Sequence, residues 1–234
     1  MLLSCGLSAS SALFRGSHRK QLQITEDTRA STGAAAYCLY AHTFSPSQLR
    51  RQLSLVTMNP LKKLPPFDPK SDCLNVVIDT PKGSRNKFAY DDERETYALK
   101  AVLPQGAVFP FDFGSIAGTI AEDGDPLDAL VLMDEPAFVG CLVESRVIGV
   151  IEAKQTEDGK TERNDRIIAV AAESHTHRDI KSLDDLNKTL LEEIEHFFVS
   201  YNEQRGKKFK SLGHRGPKRA RSLVNKHKEK PPEH

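Results

Sequence analysis

The chain has 234 residues, 38% hydrophobic and 28% charged, a balance that fits one well-buried domain with appendages and excludes a wholly disordered polymer. Its formal charge of +1 conceals three segments: 1–57 carries six basic and two acidic side chains, 58–204 sixteen and twenty-eight, and 205–234 eleven and two. An acidic body with a basic C-terminal end follows, and no run approaches the ~20 apolar residues of a membrane-spanning helix.

Cys5, Cys38, Cys73 and Cys141 lie too far apart for a zinc knot or a dense disulfide framework, so a reducing, cytoplasmic setting is expected. Residues 1–57 are rich in Ser, Thr and Ala and show no sustained period. They read as a disordered leader, an organelle transit peptide, or an upstream extension ahead of Met58. PLKKLPPFDPK (60–70), with four prolines, reads as an extended lead-in.

Strand-like runs come next: LNVVID (74–79), YALKAVL (97–103), LDALVL (127–132), LVESRVIGVIEA (142–153) and RIIAVAA (166–172). With turn clusters such as PKGSRN and EDGDP between them, they predict a small, mainly antiparallel sheet or barrel. From Ser182 to Gln204, Leu183, Leu186, Leu190, Ile194, Phe197, Phe198 and Tyr201 recur at helical spacing, with Ser182 and Asp185 as a capping pair and Gly206 as the stop. Pro217 is placed to start a short basic helix, in a segment (211–234) polar enough to be a loose basic C-terminal tail.

The most informative stretch is EDGDPLDALVL, 122–132, where Asp123, Asp125 and Asp128 lie at the mouth of an apolar strand. Like charges so crowded repel unless something cancels them, and Gly124 and Pro126 make the turn stiff enough to aim them together. A hard divalent cation is the natural counter-charge, and magnesium suits a few carboxylates plus phosphate oxygens. A calcium EF-hand is excluded, because its loop wants Gly at position 128 and an acceptor at 127. An ordinary polar turn is the bland alternative, since Asp, Gly and Pro are what turns are made of.

DGDPLDALVL resembles the signature of the soluble inorganic pyrophosphatases, and VVIDTP, Lys87 with Phe88, VFPFDFGSI, RVIGVIEA, RIIAVA and HFFVSY follow that family's order from about 74 to 210. The resemblance implies an α+β catalytic domain over 58–210: a mainly antiparallel five-stranded, OB-like β-barrel flanked by helices. It implies hydrolysis of pyrophosphate to two phosphates by a metal-activated water, with magnesium as the ion and manganese or cobalt as substitutes. Two cations roughly 4 Å apart can hold the attacking and departing oxygens of such a displacement. It further implies Asp123 and Asp128 as metal ligands and Asp125 as ligand and catalytic residue, orienting or deprotonating the water. Asp165 and, less directly, Asp158 would be further metal ligands, and Lys87, Arg166 and Tyr201 substrate contacts. Members of the family assemble as dimers or hexamers, so a homo-oligomer is expected.

Several positions depart from the family pattern. Phe109 and Phe113 stand where tyrosines are usual, Ala101 replaces an arginine, Asn202 a lysine and Ala89 a glutamate. The family's acid, any residue, lysine reads Asn164, Asp165, Arg166, so that either the acid has moved by one to Asp165 or an amide, Asn164, takes its place. Each lost donor weakens transition-state binding. Lys207, Lys208 and Lys210 would make up the charge if they folded back over the acidic cleft. The departures leave open a silent phosphate- or nucleotide-binding homologue, or a hydrolase of a longer or organic polyphosphate. A third reading, weak nonspecific contact with nucleic acid through the basic end, rests on charge alone. His175 and His177 lack an acid partner at ligand spacing, and His196 lies off the apolar face of its helix, so none of the three enters the site.

Overall fold

The computed structural model describes residues 59–229, so the leader expected over 1–57 lies outside the described residues. In chain order come α1 (Pro60–Lys63), β1 (Leu74–Thr80), β2 (Asn86–Asp91), β3 (Thr96–Val102), β4 (Asp112–Ile116), β5 (Asp128–Leu132), β6 (Leu142–Glu157), β7 (Lys160–Arg163), β8 (Arg166–Ala171), a 3-10 turn (Leu183–Asp185), α2 (Lys188–Glu203), β9 (Lys208–Arg215) and α3 (Pro217–Lys226).

Five strands close a ring: β1 pairs with β4, β4 with β5, β5 with β8, β8 with β6, and β6 again with β1. Only β5–β8 is parallel, so the expected mainly antiparallel α+β architecture holds. Its membership differs from the sequence expectation in one strand. YALKAVL forms β3, which pairs with β2 in a separate hairpin, and DFGSI, β4, takes the vacant place in the ring. The reason is burial: every residue of β4 is buried, whereas β3 is exposed or half-buried throughout and has no ring to complete.

Alternation along the ring strands sorts their side chains onto two faces. Leu130, Leu132, Ile168 and Val170 pack with Leu191, Ile194 and Phe198 of α2 and Phe209 of β9. Ala129, Val131, Ile167 and Ala169 pack with Val76, Ile78 and, from α3, Ala220, Leu223 and Val224. The stretch 211–234 is therefore no loose tail over its described part. Residues 211–215 lie in β9 against β6, Pro217 opens α3, and Glu229 N–H donates to Gly118 O at 2.8 Å.

The helix expected from 182 to 204 is broken in two. Ser182 and Asp185 do form a capping box, but on the 3-10 turn alone; Leu186 is extended, and Asn187 restarts the helix by accepting Thr189 N–H at 2.9 Å. Tertiary contact explains the break, because Leu183 packs directly on Gly149, where a Cβ would lie 2.4 Å from Leu183 Cγ and 2.6 Å from Arg215 O. Among the described residues no helix is long and apolar enough to cross a membrane.

Candidate active site

The acidic turn is ordered by its own backbone. Ala121 N–H donates to Asp125 O at 2.7 Å, Asp125 N–H to Asp123 Oδ1 at 3.2 Å, and Gly124 adopts φ +89°, a conformation that favours glycine. Asp123 and Asp125 are exposed at the rim. Desolvation pushes the Asp123 carboxyl pKa up, and the charges of Asp125 and Asp128 push it further, against the hydrogen bond from Asp125. The turn thus holds negative charge under tension.

Asp128 opens β5 and Arg166 opens β8, and the parallel register sets them side by side, with Arg166 Nη1 at 2.6 Å from Asp128 Oδ2. Arg166 is buried, and its guanidinium lies 5.2–6.0 Å from the rings of Phe198, Phe209 and Phe113. A buried cation persists because a carboxylate and three aromatic faces replace its water.

Lys87 reaches the same place from the other sheet. A register shift between Lys87 and Phe88 interrupts the β2–β3 hairpin, and such bulges re-aim side chains. Its Nζ stands 3.8 Å from the Phe113 ring centre. Desolvation pushes the Lys87 pKa down, while the charges of Asp128 and Asp79 oppose that. Tyr201, on α2, packs its ring 5.7 Å from Phe109 and shares its hydroxyl with Arg205 Nη1. Burial pushes the Tyr201 pKa up. The structure therefore brings together Lys87, Asp128, Arg166 and Tyr201.

Two members of the cluster escaped the sequence reading. Asp79 sits at the register shift of β1 between Ile78 and Thr80, and is buried. Its Oδ2 accepts the Ser115 hydroxyl at 2.7 Å, whereas Oδ1 is buried without a partner. Desolvation raises its pKa to about 7, with the Asp128 charge adding to the rise and Lys87 and Ser115 opposing it. An acid closing an apolar strand was the available signal. Arg205, the second, follows Tyr201 at helical spacing.

Other expected positions fall elsewhere. Asp165 points away from the acidic turn: its carboxylate takes Ala153 N–H at 2.9 Å and Arg163 at 2.9 Å, in a network that also holds Glu152. Strand alternation is the cause, since Arg166 already faces Asp128 and its neighbour must face the other way. Asn164 lies on the Arg166 side, accepting from Nη1 and donating to Gln155 Oε1 at 2.8 Å. Asp158 is exposed at the tip of the β6–β7 hairpin, with φ +49°. Lys208 and Lys210 are bound into β9 and exposed, and Lys207 pairs with Glu157 at 2.7 Å, so these lysines do not fold over the acidic turn. Lys100, beside Ala101, pairs with Asp91 at 3.2 Å.

Among the described residues no three His, Cys, Asp or Glu side chains are grouped closely enough to cage an ion. The side-chain donors of the turn are nevertheless carboxylate oxygens alone, and nearby the buried Asp79 Oδ1 has no hydrogen-bond partner. That chemistry fits a hard divalent cation, which keeps waters and substrate oxygens and needs no full protein cage.

The profile of the family described as inorganic pyrophosphatase matches residues 76–231. An inorganic pyrophosphatase of Synechocystis is 39% identical over 148 residues, 63% of this chain and 85% of that protein. One of Thermus thermophilus is 38% identical over 150 residues, 64% and 83% of the two chains. The crystal structure of inorganic pyrophosphatase from Thermus thermophilus superposes with a TM-score of 0.65 at 35% identity, covering 72% of this chain and 97% of that one. That from Helicobacter pylori does so with 0.64 at 31%, covering 71% and 96%. The acidic turn, the five-strand ring and the cationic cluster thus lie in a chain that belongs to the inorganic pyrophosphatase family.

Proposed function

We propose that this chain hydrolyses inorganic pyrophosphate to two phosphates. The observation that carries the reading is the convergence of Lys87 and Arg166 with Tyr201 beside the acidic turn, in a chain of this family. Cations beside carboxylates suit a substrate that is a polyanion accompanied by its own cations.

Asp123, Asp125 and Asp128 would hold the ion, magnesium by preference with manganese or cobalt as substitutes. When bound, it neutralises phosphate charge and lowers the pKa of water. Asp125 orients the attacking water and takes its proton. The water oxygen forms a new bond to one phosphorus, the bridging P–O bond breaks, and its electrons leave with the second phosphate. Lys87 and Arg166 bind the phosphate oxygens as charge moves onto them, and Tyr201 donates its hydroxyl. Phe109 and Phe113 shield the cations from water, which strengthens each charge interaction.

Phosphate release from pyrophosphate by the purified chain tests the reading. Magnesium-dependent turnover is expected, with Asp125→Asn lowering kcat by about a hundredfold or more; an inactive wild type across magnesium, manganese and cobalt would sink it. Initial rates on tripolyphosphate and nucleotides establish whether pyrophosphate is preferred. Exposed Leu99, Val102 and Phe138 support self-association as a dimer or hexamer, separable by light scattering, and the free Cys73 and Cys141 accord with the cytoplasm. The basic end offers less free charge to nucleic acid than its composition suggests, because Arg215 and Arg219 engage Glu152 and Arg221 engages Asp72.

A further inference from the structure

The end of α2 sends two neighbouring polar residues in different directions. Asn202, directly after Tyr201, is 2% exposed, and its Nδ2 donates to Phe198 O at 2.8 Å. It contributes nothing to the cationic cluster. Arg205, four residues after Tyr201, lies over the same helical face. The chain turns back there: Arg205 N–H donates to Asn202 O at 2.9 Å, Gly206 N–H to Glu203 O at 3.0 Å, and Gly206 takes φ +73°. The guanidinium is thereby carried back onto Tyr201, with Nη1 donating to the hydroxyl and Cζ 5.3 Å from the ring centre.

Arg205 is exposed and makes no ion pair among the described residues, whereas the nearby Lys207 is taken by Glu157. Its charge is close enough to disfavour protonated Lys87. Among the described residues Arg166 alone of these cations makes an ion pair with a carboxylate, and Arg166 and Arg205 both act against the charge of Lys87, a repulsion that a multiply charged anion between them would relieve. A guanidinium offers forked donors that suit phosphate oxygens, and here its direction is set before any anion arrives.

We propose that Arg205 is a pyrophosphate-binding residue of this chain, taking terminal phosphate oxygens together with the Tyr201 hydroxyl and supplying the positive charge that position 202 lacks. The inference rests on the pyrophosphatase reading for the identity of its ligand. It goes beyond that reading in assigning a substrate contact from outside the helix that carries Tyr201.

The test compares the full chain with Arg205→Ala and Arg205→Lys, each also in a Tyr201→Phe background. Pyrophosphate kinetics are measured alongside calorimetric binding of imidodiphosphate, a non-hydrolysable analogue, with magnesium present. Arg205→Ala is expected to raise KM and the analogue Kd by about tenfold while changing kcat much less. Arg205→Lys should recover part of the loss, because charge is kept and the fork is not. The effect should persist in Tyr201→Phe. Changes under about twofold in both readouts would overturn the proposal, as would disappearance of the effect in the Tyr201→Phe background, which would leave Arg205 merely positioning that hydroxyl. A wild type that binds imidodiphosphate without hydrolysing pyrophosphate would refute the hydrolytic reading alone, and the binding arm would still decide Arg205.

Discussion

Asp79 concentrates the residue-scale physics of the site. One carboxylate oxygen has the Ser115 hydroxyl and the other has nothing, so the buried group favours its protonated form, with a pKa near 7 against 3.8 for an ordinary aspartate. The folded state consequently holds a proton that the unfolded state releases between those values. Stability from this residue is complete below pH 3.8 and is lost as pH rises through about 7. Asp79→Asn keeps the shape and cannot ionise, so in chelator the variant should gain on the wild type by on the order of a few kcal/mol between roughly pH 5 and pH 8. Urea unfolding at both ends measures it, and a pH-independent difference would contradict the assignment. Arg166 shows the complementary case, a buried cation held by Asp128 and aromatic faces.

At the scale of elements, the ring positions the site by register, and the flanking pieces lock the ring. Gly149 of β6 lets Leu183 and the Arg215 carbonyl approach its backbone more closely than any Cβ allows. Gly149→Ala should therefore cost about 1–3 kcal/mol or more through overpacking, read as a lowered urea midpoint; an unchanged midpoint would mean that the 3-10 turn shifts freely. Leu223 anchors α3 on the face away from Asp128 and Arg166. Leu223→Ala should remove ~2–5 kcal/mol of stability and leave kcat of the folded protein unchanged. A fall in kcat at full folding would show that α3 supports the site. The basic end, which composition alone marks as a tail, is thus a structural element whose apolar residues recur at helical spacing within a charged sequence.

For the whole molecule the governing opposition is an acidic turn at the rim against cations held in an aromatic pocket. Divalent ions bound to the folded chain should raise its thermal midpoint, and Asp123→Asn with Asp125→Asn should reduce that rise. Calorimetry with and without magnesium checks it, equal shifts in both proteins counting against the acidic turn as the binding place. The sequence by itself determined what short-range sterics and periodicity encode, namely the acidic turn with its glycine and proline, the apolar strands and the amphipathic α2, and, separately, through the order of its motifs, the family resemblance. Asp128 was singled out by the acidic turn, whereas Lys87, Arg166 and Tyr201 were singled out only through the family resemblance, and the structure sets the four near one another. Only the tertiary structure decided that β4 and not β3 closes the ring, that Asp165 turns from the cluster Arg166 enters, and that Asp79 and Arg205 join it. Those outcomes depend on strand register, on bulges that shift it, and on which neighbours exclude water. One residue of slip moves a side chain to the other face of a sheet, and the partner that forbids the slip lies far away in the chain.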